Sequence, residues 1–399
     1  MTGGRALSRY RLYVLGNSLN NIGNAFYVVV LPLLVYRLSG SSLSMAVTVA
    51  AEALSTLLLP LWGVVMDRAS PRTAIVGTLL FQSAVSALLP LGTRGHWLTV
   101  PMIYGLSFLI GLGANGLQTA QTRAIPIMFP DTRDTASAGL TTAYTVTTVV
   151  GPLMAAAALA HHGEVLLLWI NTVSFLAPLG LLPWTRIPRM RQASGSPRLL
   201  RSLAEGFSVV RQQAAVRPLV WALAALGLTN AMAATLAVYR LKQDFHWPDA
   251  LVSFVFVALG LGSVLGTRLP LRLRHVSLPA VLRIAIATST VGVAAMMSPL
   301  AVLVPVGLGL TGVGFLALAV ARNLWLQEVV PITHLGRANT AIRTLTGSAR
   351  LAGALALGLV AAQAGVETAL ALLLVVGALP LLGLRTAGTA GKPFMPPAS

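Results

Sequence analysis

The sequence predicts an all-α integral membrane protein, with twelve transmembrane helices in two pseudo-symmetric six-helix bundles. Three observations carry this reading. The 399 residues are 56% hydrophobic and only 10% charged, with a mean hydropathy of +0.79, whereas a soluble domain carries about 25% charged residues. Apolar runs of about 20 residues, enough to cross a bilayer, recur from end to end. One long polar connection, containing SGSPRLLRSLAEGFSVVRQQ, interrupts them near the middle. A soluble chain of this length could not bury so much apolar surface, so the excess is expected to face lipid.

The spans fall in order near 12–36, 43–66, 73–93, 98–122, 135–160, 164–185, 217–240, 250–269, 277–296, 299–322, 336–362 and 366–385. The first follows a short basic start, MTGGRALSRYR. It is long enough to span and has no small-residue cleavage site after it, so it is expected to stay in the protein. The second is apolar apart from Glu52. The fourth carries Gly105, Gly111, Gly113 and Gly116, which suit close helix packing. Within the central connection, 199–212 has the composition of a basic amphipathic helix at the membrane surface. The expected organisation is a first bundle over 1–185, a linker over 186–216, and a second bundle with a short tail over 217–399.

The net charge is +18, from 28 basic and 10 acidic residues. The basic residues are scattered between apolar runs, so positive cytoplasmic loops explain them better than nucleic-acid binding. With the N-terminus inside, Arg68, Arg72, Arg123, Arg133, the arginines of the linker, Arg268, Arg272 and Arg337 are cytoplasmic. Outside fall only Arg37, Arg94, Arg240 and Lys242. Both termini are thus expected on the cytoplasmic side of a cell inner membrane. The chain has no cysteine, which excludes disulfides, thiolate metal sites and cysteine nucleophiles. The six histidines are scattered without metal-ligand spacing. With no phosphate-binding glycine loop either, neither a metal nor another cofactor is expected.

The two halves are weakly similar. PDTRDTASAG after the fourth span and PITHLGRANT after the tenth both place Pro, then Thr two residues later, before a small-residue helix. GVVMDRASPR after the second span has a faint counterpart, GTRLPLR, after the eighth. Related six-helix halves are the sequence sign of a transporter built from repeats.

Over nearly its whole length the chain resembles the major facilitator superfamily. In GVVMDRASPR, residues Gly63, Asp67, Arg68 and Arg72 match the family's loop motif between the second and third helices. VVGPLMAA, with Gly151 and Pro152, is similar to the core of the family's antiporter motif, although Ala138 and Thr147 stand where glycine is preferred. LGNSLNNIGNAFYVVVLPLLVYRLSGSSL and LGRANT look like the bacterial drug- and siderophore-exporter branch. That branch often has an acid near Gly23, where this chain has Asn24. The resemblance implies two bundles rocking about a central small-molecule site, in a monomer, with the Asp67–Arg68 motif acting as a conformational gate. It also implies that the second and eleventh helices are neighbours.

Glu52 is the only acid expected deep in the membrane. Nine residues past Leu43 at about 1.5 Å each put it roughly 14 Å from one face. A carboxylate withdrawn from water holds its proton more tightly, so Glu52 could carry a proton; facing an arginine, it would instead stay charged and act as a gate. Arg350 is the expected partner. Arg343, two helical turns earlier, shares its face. The two arginines could instead bind an anion, or Arg343 could snorkel to the interface.

Asn17, Asn20, Asn21, Asn24 and Tyr27 fall within a 120° arc of the first helix at about 100° per residue. Of these, Asn21, Asn24 and Tyr27 are the expected cavity residues, with interhelical hydrogen bonding as the other reading. Asn115 and Tyr144 are the expected additions among the polar residues of the fourth and fifth helices, and Asn230 stands alone in the seventh. The expected function is proton-coupled efflux of a small amphiphilic or anionic molecule. A lysophospholipid flippase and a polytopic membrane enzyme are the alternatives, the latter lacking any His-Asp cluster.

Overall fold

The computed structural model describes residues 3–59, 62, 69–128, 133–185, 216–273, 275–329 and 332–382. The motif residues Gly63, Asp67 and Arg68 lie outside these, as does the linker over 186–215. The described residues form α1 (Gly3–Ser39), α2 (Ser42–Leu57), α3 (Pro71–Arg94), α4 (Val100–Met128), α5 (Arg133–Ser174), α6 (Leu176–Thr185), α7 (Val216–Gln243), α8 (Asp249–Arg272), α9 (Leu278–Met296), α10 (Leu303–Val329), α11 (Ile332–Ala364) and α12 (Val366–Ala378). Among the described residues, nine stretches are long and apolar enough to cross a membrane, and two shorter apolar helices join them.

The observed boundaries agree with the expected spans in part. The fifth and sixth spans lie within α5 on either side of a turn at Gly163 (φ 71°, ψ 173°), inside the expected gap between 160 and 164. A left-handed glycine makes this turn within the polar stretch HHGE. The sixth span is completed by α6 beyond Phe175. Regular helix in α2 runs to Leu57, Leu59 and Trp62 are again helical, and the expected end at 66 lies outside the described residues. α4 and α10 continue past 122 and 322, because helical hydrogen bonding need not stop where hydrocarbon does.

The end where α1 begins is termed proximal and the opposite end distal. Tight turns at Gly40, Gly163 and Gly365 close the distal end, and all three glycines have positive φ. Packing repeats between the halves. α3 and α2 pack on α4 as α9 and α8 pack on α10, and α1 lies on α5 as α7 lies on α11. Across the halves, α2 runs along α11 and α5 along α8. Adding six to each label turns one cross-contact into the other, which accounts for the faint sequence repeat.

Small residues allow these close approaches. A Cβ on Gly262 of α8 would run into the carbonyl of Gly309 on α10, and one on Gly358 of α11 into Ala46 of α2. Gly111, Gly113 and Gly116 are likewise closed in by α2, α3 and Trp62. Gly105 faces open space, so its expected packing role is corrected.

The buried core is arranged unequally along the molecule. Toward the distal end one cluster joins both halves, including Val30 and Leu34 of α1, Met45 of α2, Leu236 of α7 and Leu357 of α11. Toward the proximal end the cores are separate. Tyr13, Ile75, Leu79, Leu117 and Phe175 belong to the first half, and Leu219, Leu226, Ile286, Leu318 and Ile342 to the second. Among the described residues, therefore, the halves are joined distally and part proximally. An exposed apolar belt, including Leu80, Val173, Trp221, Leu265 and Val291, matches a lipid surround.

Candidate functional site

The parting of the halves is lined by polar residues that the helices hold at similar depth. Glu52 projects from α2 and Arg350 from α11, with Arg350 Nη2 3.7 Å from Glu52 Oε1. Their side chains are 42% and 33% exposed, so the pair opens onto accessible space instead of being sealed in a core. The reason is local. Gly111 of α4 approaches the Glu52–Ser55 turn closely, and Gly347 of α11 approaches Thr56. These contacts press α2 between α4 and α11 and leave the Glu52 face at their edge.

One turn further along α2, Ser55 donates to the backbone carbonyl of Glu52 (2.6 Å) and accepts from Asn115 Nδ2 of α4 (2.9 Å). Asn115 Oδ1 in turn accepts from Arg343 Nη2 of α11 (3.2 Å). Arg343, Asn115, Ser55 and the Glu52 turn thus form one polar track that crosses between the halves. Arg322 of α10 lies close enough to feel the charge of Arg343. It donates through Nε and Nη2 to Asn323 Oδ1, its own neighbour in sequence (3.1 and 2.7 Å).

The other expected site residues separate by environment. Asn21 and Asn24 are half-buried. Tyr27 is buried, with its hydroxyl 3.5 Å from Ser107. Asn17 accepts from Gln121 of α4 and donates to the carbonyl of Tyr13, and Asn20 is buried. The polar arc of α1 therefore packs largely between helices. Asn230 is half-buried, and its Nδ2 has no partner among the described residues. Gly151 and Pro152 are buried in α5, with Gly151 against Ala25 of α1. Arg72 lies half-buried in the first turn of α3, which Ser70 caps by accepting from Thr73 N (3.2 Å). The side chain of Tyr144 lies outside the described residues.

Two groups escaped the sequence reading. Arg322 sits at the boundary drawn for the tenth span and was given no role; the helix around it continues to Val329. Arg240 has the position of an outer-loop residue. Instead its side chain is 4% exposed and donates to the carbonyls of Met296 (2.8 Å), Met297 (3.3 Å) and Ser298 (3.3 Å), with Glu367 at 3.4 Å. It thereby caps the C-terminal end of α9 and ties α7 to the start of α12.

These features define a polytopic α-helical membrane protein whose halves enclose a polar, arginine-rich site between them. Residues 13–354 match the sequence pattern of the Major Facilitator Superfamily, and the chain belongs to that family of transporters. An uncharacterized MFS-type transporter of Sinorhizobium fredii is 28% identical over 212 residues. That match covers 52% of this chain and 51% of the relative, so the chain spans about half the length of the curated relative it matches.

Among solved structures, a single-residue mutant of the nucleoside transporter NupG is similar with a TM-score of 0.75 at 14% identity, covering 96% of this chain and 100% of that one. A bacterial homologue of the iron transporter ferroportin in an inward-facing state gives 0.73 at 18% identity, covering 95% and 98%. The human organic anion transporter MFSD10 gives 0.63 at 19%, covering 95% and 99%. At such identities the likeness is one of fold.

Proposed function

We propose that this transporter is a proton-coupled exporter of a small amphiphilic or anionic molecule, of the drug or siderophore type. It acts as a monomer in the cell inner membrane with both termini cytoplasmic. The bundles over 1–185 and 217–399 rock about the site and expose it to each side in turn. On this reading the proximal end is cytoplasmic and the present state is open inward.

The observation that carries the reading is the Glu52–Arg350 pair, a lone carboxylate facing an arginine across the α2–α11 contact. An ion pair between moving halves favours the arrangement in which it forms. Protonating Glu52 removes that preference and couples proton binding to the change of state. Asn21, Asn24, Asn115, Asn230 and Arg343 contribute polar groups for substrate. Asp67, Arg68 and Arg72 serve the cytoplasmic gate. Gly151 and Pro152 keep α5 close to α1.

The test is substrate-dependent proton flux in proteoliposomes with dyes, siderophores and lysolipids. Glu52→Gln is expected to abolish coupled export while the protein remains folded by size-exclusion chromatography. Normal coupled export by that variant would sink the proton-carrier role.

A further inference from the structure

Among the described residues, the charge around the site is unbalanced. Arg343 and Arg350 of α11, with Arg322 of α10 within electrostatic reach of Arg343, share it with one described carboxylate, Glu52, and that carboxylate faces Arg350. Among the described residues, Arg322 and Arg343 have neutral asparagine partners and no acid within ion-pair distance. Holding two guanidinium groups near each other in a membrane interior costs free energy through repulsion and lost hydration. A ligand that supplies negative charge offsets both. Each planar guanidinium also presents parallel donors suited to a carboxylate or phosphate.

We propose that Arg322 and Arg343 form the anchoring site for a multiply charged organic oxyanion, a molecule bearing at least two carboxylate or phosphate charges. The proposal rests on the transporter reading above and narrows its substrate class. One anionic group meets each guanidinium, so a dianion gains from both arginines where a monoanion gains from one. Arg343 leaves Asn115 Oδ1 to meet the ligand. The bond it gives up crosses from α11 to α4, so occupancy loosens a tie between the halves. Substrate and proton then act on neighbouring cross-bundle contacts, Arg343–Asn115 and Arg350–Glu52, each of which steadies the present arrangement.

The probe is carboxyfluorescein, a multiply anionic amphiphile, with the cation rhodamine 123 as contrast. Binding is read as fluorescence anisotropy on the purified full chain in detergent. Carboxyfluorescein is expected to bind, and citrate to displace it at tenfold or more lower concentration than acetate at matched ionic strength. Arg322→Gln and Arg343→Gln should each weaken binding tenfold or more. Arg343→Lys should recover part of the loss, and Arg283→Gln, on the exposed face of α9, should change nothing.

The citrate–acetate comparison uses the unaltered protein, so it stands even if a variant fails to fold. Equal displacement by citrate and acetate overturns the proposal, as does carboxyfluorescein binding that is indifferent to both arginines. Dianion binding without flux in proteoliposomes would instead count against the transporter mechanism and leave the site standing. Coupled flux of rhodamine 123 without carboxyfluorescein binding would do the reverse.

Discussion

Glu52 and Arg350 show what one residue can carry in a bilayer. On the gating reading, exchanging their charges (Glu52→Arg with Arg350→Glu) should recover part of the activity lost in each single variant. Transport assays in which the double variant does no better than the singles would dissolve the functional pair. Arg240 makes a different residue-scale prediction. Arg240→Ala leaves the carbonyls of Met296, Met297 and Ser298 short of a buried donor, at about 1–3 kcal/mol for each group left unsatisfied. A marked fall in the thermal unfolding midpoint in detergent is expected, with Arg240→Lys only partly restoring it. Glu52 was legible in the sequence because an acid in an apolar run is conspicuous. Arg240 was not, since its short-loop position gives no sign that the last turn of α9 folds back over it.

Elements meet where side chains are smallest. Gly262 lies on the backbone of Gly309, so Gly262→Ala should force α8 from α10 and cost about 1–3 kcal/mol by overpacking. Gly105→Ala, with nothing within 4 Å of the new carbon, should stabilise α4 by up to about 1 kcal/mol through helix propensity. Thermal unfolding of the two variants should move in opposite directions. Composition marks all these glycines as suited to packing, but which of them touches a neighbour depends on helix rotation, and Gly105 faces outward. The number of spans was legible from hydropathy. Their ends were less so, because helices extend beyond hydrocarbon, as α4 and α10 do.

For the whole molecule, the joined distal core and the two separate proximal cores describe one arrangement of two halves. Tyr36 adds to the distal closure, donating to Gln243 Oε1 (3.0 Å) and meeting the Tyr239 ring edge-on at 5.9 Å. If the halves alternate, covalently fixing this closure must stop transport. The chain has no cysteine of its own, so Tyr36→Cys with Gln243→Cys, whose native side chains meet across the closure, can be joined by a short bis-methanethiosulfonate reagent. The cross-link should halt flux and reduction should restore it, while each single-cysteine variant should keep its flux after the same treatment. Continued flux through the cross-linked protein would exclude alternating access through this end.

The sequence by itself determined the solvent, the number of spans, and which few charges must live inside them, since hydropathy is a local property of each stretch. It also carried the family, through short motifs set at fixed places along the chain. Tertiary structure alone decided which charges meet and at which end the described cores merge. Arg343 reaches Asn115 across 228 positions of sequence, and a helix rotated by one residue, about 100°, would aim it elsewhere. Arg322, at the expected end of the tenth span, comes within electrostatic reach of Arg343 only through the way α10 and α11 are placed. Whether the cores merge distally or proximally rests on the balance of packing between two similar halves, and that balance is set by long-range contacts that no local pattern records.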